Sequence, residues 1–179
     1  MNIFFLQDGI WAEMLRANPN HYPTMKDTTL DAPQALTERS TDYTIYKPNT
    51  RGNGGVIRFG LNPAKASIFV DAASQSGEKQ FDWENKFTMK WGFQDIGQIL
   101  ATLQGRLPQA KLFHQSEKAN SACELTYQDD PERSPYLLTI SRQSATDKSL
   151  RKVTIPLTHG EAAVLEAALR AAIGRILAW

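Results

Sequence analysis

The chain has 179 residues, of which 41% are hydrophobic and 22% charged, and its formal net charge at pH 7 is +1. This length and composition predict a soluble globular protein with a core of its own. The near-zero net charge excludes a protein that attracts polyanions over its whole surface. The single cysteine, Cys123, excludes an intrachain disulfide, and its place in an alternating pattern predicts a small buried residue.

Residues 1–40 differ in character from the rest of the chain. They carry five acidic and three basic residues, and a polar stretch with several prolines follows a short amphipathic pattern from Ile3 to Leu15. We predict an N-terminal arm or linker here, partly helical or loose, and a folded domain over residues 41–179. No apolar run approaches the ~20 residues of a membrane span. We therefore expect a cytoplasmic protein without membrane contact, and association with a nucleoid is compatible with this.

The pattern from residue 43 onward is typical of strands. Aromatic and β-branched runs separated by Gly, Asn and Pro predict four strands, and a helix follows in which apolar residues recur every three or four positions. The predicted strands are Tyr43–Tyr46, Val56–Phe59, Ala66–Val70 and Phe81–Lys90, and the predicted helix is Phe93–Leu103.

The second half of the domain repeats this order. Four more strands are predicted at Lys111–His114, Ala122–Tyr127, Tyr136–Ser141 and Lys152–Leu157. Thr158 and Glu161 have the spacing of a capping box, so a second helix is expected to begin there and to run to the end of the sequence. The predicted fold is α+β, a β4-α-β4-α pseudo-repeat of two antiparallel four-stranded sheets with packing helices.

A basic, glycine-rich strip occupies residues 43–59. It contains three cations and no acid, interleaved with Tyr46, Phe59 and three glycines. Rings can stack on bases while Lys and Arg contact phosphates, so this combination favours binding of unpaired nucleic acid. We expect Lys47, Arg51 and Arg58 to contact phosphates without being needed by the fold. The alternative is an ordinary sheet with a glycine-rich hairpin.

Catalytic patterns find little support in the sequence. The three histidines are scattered, and no Ser/His/Asp order, phosphate-binding loop or Cys/His metal spacing is present. The acidic stretch Asp129–Glu132 is typical of a solvated loop, although it also contains ligands suited to a divalent ion. We expect no enzyme activity, no cofactor and no bound metal.

Five motifs follow one another along the domain. They are Phe81-Asp-Trp-x-x-Lys86, Asp95–Leu100 in the first helix, Leu112-Phe-His114, Ile155–Val164 at the start of the last helix, and the closing Leu177-Ala-Trp179. In this order they resemble the Whirly family of single-stranded DNA-binding proteins and their structural relatives, the mitochondrial RNA-binding proteins of trypanosomes. The resemblance extends from about Tyr43 to Trp179.

The resemblance implies a homotetramer that binds single-stranded DNA or RNA along exposed sheet faces. The chemistry of the side chains supplies the candidate residues. Four rings are expected to stack on bases and five cations to contact phosphates: Tyr46, Phe59, Trp83 and Trp91, and Lys47, Arg51, Arg58, Lys86 and Lys90. Any of these residues can instead be a core ring or an ordinary solvated charge. The other class of function that fits is an oligomeric scaffold or transcription-associated regulator that acts through a protein partner.

The sequence departs from the plant members of the family near the first strand. Those proteins carry Lys-Gly-Lys-Ala-Ala-Leu, a segment tied to DNA binding and to assembly beyond the tetramer. Here Tyr46-Lys47 begins the segment, but Pro48–Gly54 interrupts it before Gly55-Val-Ile. The basic and glycine-rich character remains, so the resemblance still implies backbone binding at this place.

Overall fold

The computed structural model describes residues 42–130 and 132–177. The predicted arm, residues 1–40, lies outside this part of the chain, so the arm and its boundary stay predictions. None of the helices in the described ranges is long and apolar enough to cross a membrane.

The first sheet is antiparallel and contains five strands. Its order is β1-β2-β3, and β3 then pairs on its other side with both β4 and β5. The strands are β1 (Tyr43–Lys47), β2 (Gly55–Asn62), β3 (Ser67–Gly77), β4 (Gln80–Phe81) and β5 (Phe87–Trp91), and a short 3-10 turn, Pro63–Lys65, joins β2 to β3.

The second sheet is a meander in which each strand pairs with the next one along the chain. Its strands are β6 (Gln109–Gln115), β7 (Ala119–Tyr127), β8 (Tyr136–Ser144) and β9 (Leu150–Leu157). Helix α1 (Phe93–Leu103) lies between the two sheets in the sequence, and helix α2 (His159–Leu177) follows the second sheet. The predicted α+β fold of two antiparallel sheets with packing helices is therefore confirmed, with five strands instead of four before α1.

One predicted strand is divided in two. The segment Phe81–Lys90 is continuous in the sequence-based prediction, but residues 82–86 form a turn between β4 and β5. Asp82 causes the break, because its carboxylate accepts hydrogen bonds from the backbone and side chain of Asn85 at 2.9–3.2 Å. Such local side-chain bonds compete with a strand ladder. The turn places Trp83 and Lys86 beside the first sheet instead of in it.

One continuous core joins the inner faces of the two sheets to both helices. Strand alternation selects the first sheet's contribution, which includes Ile57, Val70 and Met89. Helix α1 buries four residues of its predicted apolar series, Ile96, Ile99, Leu100 and Leu103, whereas the first residue of the series, Phe93, is exposed. Cys123 is buried as predicted, and burial raises the pKa of its thiol, which keeps it protonated and unreactive at neutral pH.

The predicted capping box starts α2. The Thr158 hydroxyl accepts a hydrogen bond from the Glu161 backbone N–H at 3.2 Å, and the Glu161 carboxylate accepts one from the Thr158 backbone N–H at 2.8 Å. The same carboxylate accepts a bond from the Lys47 ammonium at 2.7 Å. The first strand is therefore tied to the first turn of the last helix.

Candidate nucleic-acid interface

The side of the first sheet that faces away from the core carries polar and aromatic side chains, together with the buried Val56 and Ala73. Register pairs Thr44 with Arg58, Arg58 with Asp71, and Asp71 with Thr88 across the sheet. Alternation puts Tyr46, Phe69 and Lys90 on this same side. We call this side, together with the 78–86 segment whose rings contact it, the outer face.

An exposed ring pair lies near one end of the outer face. The ring centroids of Tyr46 and Phe81 are 5.5 Å apart, and 55% of the Tyr46 surface is exposed. This distance is in the range of favourable aromatic contacts, so each ring restricts the other. Tyr46, a predicted stacking residue, is therefore in a position to meet a base. Phe81 belonged to a recognised motif but was not among the predicted contacts.

A carboxylate at the centre of the outer face binds two of the predicted cations. The Asp71 side chain is only 10% exposed, and one of its oxygens accepts hydrogen bonds from Arg58 at 2.5 Å and from Lys86 at 2.7 Å. The other oxygen accepts a bond from the Thr88 hydroxyl. Arg58 also lies 3.8 Å from Asp42. The two cations are therefore compensated within the protein, which the acid-free strip in the sequence did not predict.

The environment of Asp71 keeps it ionised. Burial raises the pKa of its carboxyl, but the hydrogen bonds from Lys86, Thr88 and Arg58 outweigh burial and leave the pKa below its ordinary value. The negative charge at the centre of the outer face is therefore permanent at neutral pH.

Trp83 lies against the network that Asp71 forms with Arg58, Lys86 and Thr88, which we call the Asp71 network. The Arg58 guanidinium is 5.0 Å from the centre of the Trp83 ring, within range of a cation–π contact. Trp83 is partly exposed, so part of the ring surface remains accessible. Because the turn at residues 82–86 carries Trp83, the break in the predicted strand is what brings this ring over the sheet.

A third aromatic group on the outer face was not predicted from the sequence. Phe69 is half-buried in β3 and lies across from Lys90, and the ammonium of Lys65 is 5.3 Å from its ring. Neither lysine forms an ion pair within the described ranges. The sequence contained a signal for this position of Phe69, because Phe69 and Asp71 share a face in any strand that contains both. That Arg58 lies across from Asp71 on the neighbouring strand could be known only from the register.

The hairpin between β1 and β2 is held by one glutamine of β3. The Gln75 side-chain oxygen accepts hydrogen bonds from the backbone N–H groups of Asn49 and Gly54, and its nitrogen donates to the carbonyls of Asn49 and Gly77. The hairpin and the Gly77–Lys79 turn border an open cleft of about 590 Å³. Arg51 and Lys79 line this cleft, and neither has an ion-pair partner among the described residues.

Three of the predicted contacts are not on the outer face. Phe59 is 5% exposed and Trp91 is fully buried, so both rings belong to the core and the prediction that they stack on bases is wrong for this structure. The physical reason is strand parity, because Phe59 and Trp91 lie on the side occupied by Ile57 and Met89. Lys47 also points away from Tyr46, toward α2, where it binds Glu161. Arg51 and Lys90 are exposed, as their predicted role requires.

The sequence profile of the Whirly transcription factor family matches residues 62–168, more than half of the chain. The chain belongs to the Whirly family. The match includes Phe69, Phe81, Trp83, Lys86 and Lys90 but begins after the β1–β2 hairpin. The hairpin is thus outside the matched range, in agreement with the departure seen at Pro48–Gly54.

Solved structures of Whirly-like proteins have the same fold. The plant transcriptional regulator PBF-2 superposes with a TM-score of 0.62 at 19% identity, over 77% of this chain and 82% of its own. MRP1/MRP2 of Trypanosoma brucei gives 0.57 at 16% identity, over 76% and 86%. A guide-RNA-binding protein complex bound to its guide RNA gives 0.56 at 16% identity, over 76% and 91%. A comparison with curated proteins finds no match.

Within residues 42–130 and 132–177, no group of three His, Cys, Asp or Glu side chains is arranged to hold a metal ion. The acidic stretch near Asp129 contains an ordinary local pair, in which Arg133 lies 3.1 Å from Asp130. The chemistry that this part of the chain displays most clearly is therefore aromatic and cationic, and it is concentrated on the outer face.

Proposed function

We propose that the protein binds single-stranded DNA or RNA along the outer face of the first sheet, without catalysing a reaction on it. The observation that carries the proposal is the order of groups along β3. Phe69 with Lys65 and Lys90 comes first, then the Asp71 network with Trp83, then the Tyr46–Phe81 pair. Rings that alternate with cations match the alternation of bases and phosphates in a single strand.

The face is long enough for several nucleotides. From Phe69 to Gly77, β3 extends for about 27 Å at a rise of about 3.4 Å per residue. At the Gly77 end of β3, the bound nucleic acid would enter the cleft beside Arg51 and Lys79. Base stacking contributes about 1–3 kcal/mol per base and tolerates any sequence, so we expect little sequence preference.

The cations at the two ends that form no ion pair within the described ranges are expected to supply most of the salt-dependent affinity. These are Lys65 and Lys90 at one end and Arg51 and Lys79 at the other. Binding to phosphates releases counterions, whereas a face that binds a protein through apolar contacts shows little of this dependence. The salt dependence therefore separates the proposed function from the alternative of a scaffold or transcription-associated regulator that acts through a protein partner.

The test is a titration of the protein with a labelled, unstructured single strand of about 25 nucleotides, as DNA and as RNA, and with the matching duplex. We expect at least about tenfold tighter binding of a single strand, because a duplex hides the base faces. Equal affinity for single strand and duplex would overturn the stacking mechanism. No binding of either, at low salt, would overturn nucleic-acid binding and favour the protein partner.

We further propose that four copies assemble through α2. Only Ala162, Leu165, Leu169 and Ala172 of this helix are buried. Other apolar residues of the helix remain accessible, with Val164 51% exposed and Ile173 and Ile176 partly so. A groove of about 260 Å³ follows one side of the helix, lined by Tyr43, Leu61 and small residues of α2 such as Ala168, whereas Ile173 lies on the other side, toward α1. A second copy of the same helix is the occupant that this surface suits, because the residues that line the groove are apolar except for Arg175.

A further inference from the structure

Asp71 occupies an unexpected position for an acid. It lies at the centre of the face that we propose to bind phosphates, and it is 7% exposed as a residue. Counted as a charge alone, it repels the phosphates of a nucleic acid and weakens binding. Its contacts indicate a second effect, which strengthens nucleic-acid binding.

The carboxylate lies behind the cations, and the cations lie toward solvent. The side chains of Arg58 and Lys86 are each 36% exposed, against 10% for Asp71. The guanidinium carries five N–H donors and the ammonium three, and each uses one of them on Asp71. The Arg58 Nε also lies 3.8 Å from Asp42, and the other donors of the two cations can meet a ligand on the exposed side.

Both cations meet on the same carboxylate oxygen, which fixes their separation. The Thr88 hydroxyl occupies the other oxygen and thereby sets the orientation of the carboxylate. Long cationic side chains normally lose rotamer freedom when they bind a ligand, and a pair that is already held loses less. Arg58 is also fixed against Trp83, so the position of the cations is coupled to that of a stacking ring.

We propose that Asp71 is a positioning residue that holds Arg58 and Lys86 as a two-cation clamp for one phosphate of the bound strand, next to the base that stacks on Trp83. This inference rests on the proposed function. It adds a residue that favours nucleic-acid binding although its own charge repels phosphates. The carboxylate itself does not contact the nucleic acid.

The decisive variant is Asp71→Asn, because it adds one positive charge to the net charge while it weakens the hold on both cations. If the charge of Asp71 dominates, the variant binds a single strand more tightly. If Asp71 acts by positioning, the variant binds about three- to tenfold more weakly at physiological salt. The salt slope should also fall by about 0.7 for each phosphate that the variant no longer binds. A folded variant that binds as tightly as the original protein, or more tightly, overturns the inference.

Glu84→Gln is the matched control. Glu84 is exposed in the same turn as Trp83, and the substitution makes the same change in net charge without touching the Asp71 network. We expect it to leave the affinity unchanged or to increase it slightly. A loss of affinity equal to that of Asp71→Asn would show that the effect is not specific to Asp71 and would overturn the inference.

Thr88→Val keeps the inference testable if Asp71→Asn does not fold. Valine has the shape of threonine and suits a strand, and the substitution changes no charge. Positioning predicts that it weakens binding by about two- to threefold, because the carboxylate is released on one side. Unchanged affinity, or failure of both variants to fold, would reduce Asp71 to a structural residue and overturn the inference.

The salt slope separates positioning from partial unfolding, because a smaller folded fraction lowers the active concentration but leaves the slope of the remaining molecules unchanged. The failure of the inference is also distinguishable from that of the proposed function. In the first case the unsubstituted protein still prefers single strands to duplex and only the order of the variants is wrong. In the second case the unsubstituted protein itself shows no such preference.

Discussion

The three cations of the basic strip have different environments although they lie within twelve residues of one another. Lys47 forms an ion pair with Glu161 at 2.7 Å, and Arg58 is bound to Asp71. Arg51 extends from the hairpin into the open cleft without an ion pair within the described ranges. Only Arg51 therefore matches the expectation of a cation that the fold does not need.

This difference predicts that Arg51 contributes mainly to binding and Lys47 mainly to stability. Arg51→Ala should weaken single-strand binding and lower the salt slope by about 0.7, and it should leave the unfolding midpoint unchanged. Lys47→Ala should destabilise the fold by about 1 kcal/mol, because it removes the link between β1 and α2, and it should affect binding less. Thermal unfolding and strand titration of both variants check this. Equal effects of the two substitutions on binding would contradict it.

The contacts of Asp71 also predict a dependence of stability on pH. The folded protein holds the pKa of this carboxyl below its ordinary value, so the unfolded chain binds the proton more readily. The resulting stabilisation is complete above about pH 4–5 and is lost as the pH falls toward the lowered folded pKa. The unfolding midpoint should therefore drop more between about pH 5 and pH 3 in the unsubstituted protein than in Asp71→Asn. Glu84→Gln should follow the unsubstituted protein, and parallel curves for all three would contradict the prediction.

Much of the fold was predictable because its signals are local. Apolar spacing defined α1, and Thr158 with Glu161 marked the start of α2. The ion pairs that these cations form were not predictable, because the acidic partners are distant in sequence. Asp71 meets Arg58 through the β2–β3 register, and Glu161 meets Lys47 across 114 positions. An acid-free window in a sequence therefore does not indicate a free positive surface.

At the scale of elements, the β1–β2 hairpin combines a rigid base with a tip that leaves space. Gly54 lies against the Lys47 carbonyl and the Gln75 side chain, so a Cβ there would collide with both. Gly52 has a φ of +72° and nothing within 4 Å of a Cβ position. The first glycine is required by close approach and the second by backbone conformation.

Alanine substitutions of these two glycines should therefore differ in size. Gly52→Ala should cost about 1 kcal/mol, the usual cost of a left-handed conformation for a residue with a Cβ. Gly54→Ala should cost more, because either the backbone of β1 or Gln75 must move and the four hydrogen bonds of Gln75 depend on both. Denaturant unfolding measures the two differences. Equal or reversed costs would show that Gln75 does not fix the base of the hairpin.

At the scale of the whole molecule, α2 has more apolar surface than one domain buries. Its apolar residues that point into the core are nearly inaccessible, such as Leu165 and Leu169, whereas Ile173 and Ile176 are only partly covered. A monomer would leave this surface in water, at a cost of about 25 cal/mol for each Å² of apolar area. Assembly through α2 would remove that cost and would leave the outer face of the first sheet free for a strand.

Substitution of Ile173 by aspartate is therefore expected to dissociate the proposed tetramer. A charge at a buried contact between copies is unpaired there and costs several kcal/mol, whereas in a monomer Ile173 is already partly solvated. Light scattering at micromolar concentration should give a tetramer for the unsubstituted protein and a smaller species for Ile173→Asp. Lys118→Asp, which puts aspartate in the exposed turn between β6 and β7, should remain a tetramer. A monomer in all three samples would refute assembly through α2. The affinity for single-stranded nucleic acid would then have to come from one outer face alone. The number of nucleic-acid strands bound per outer face would be the same for long and for short strands.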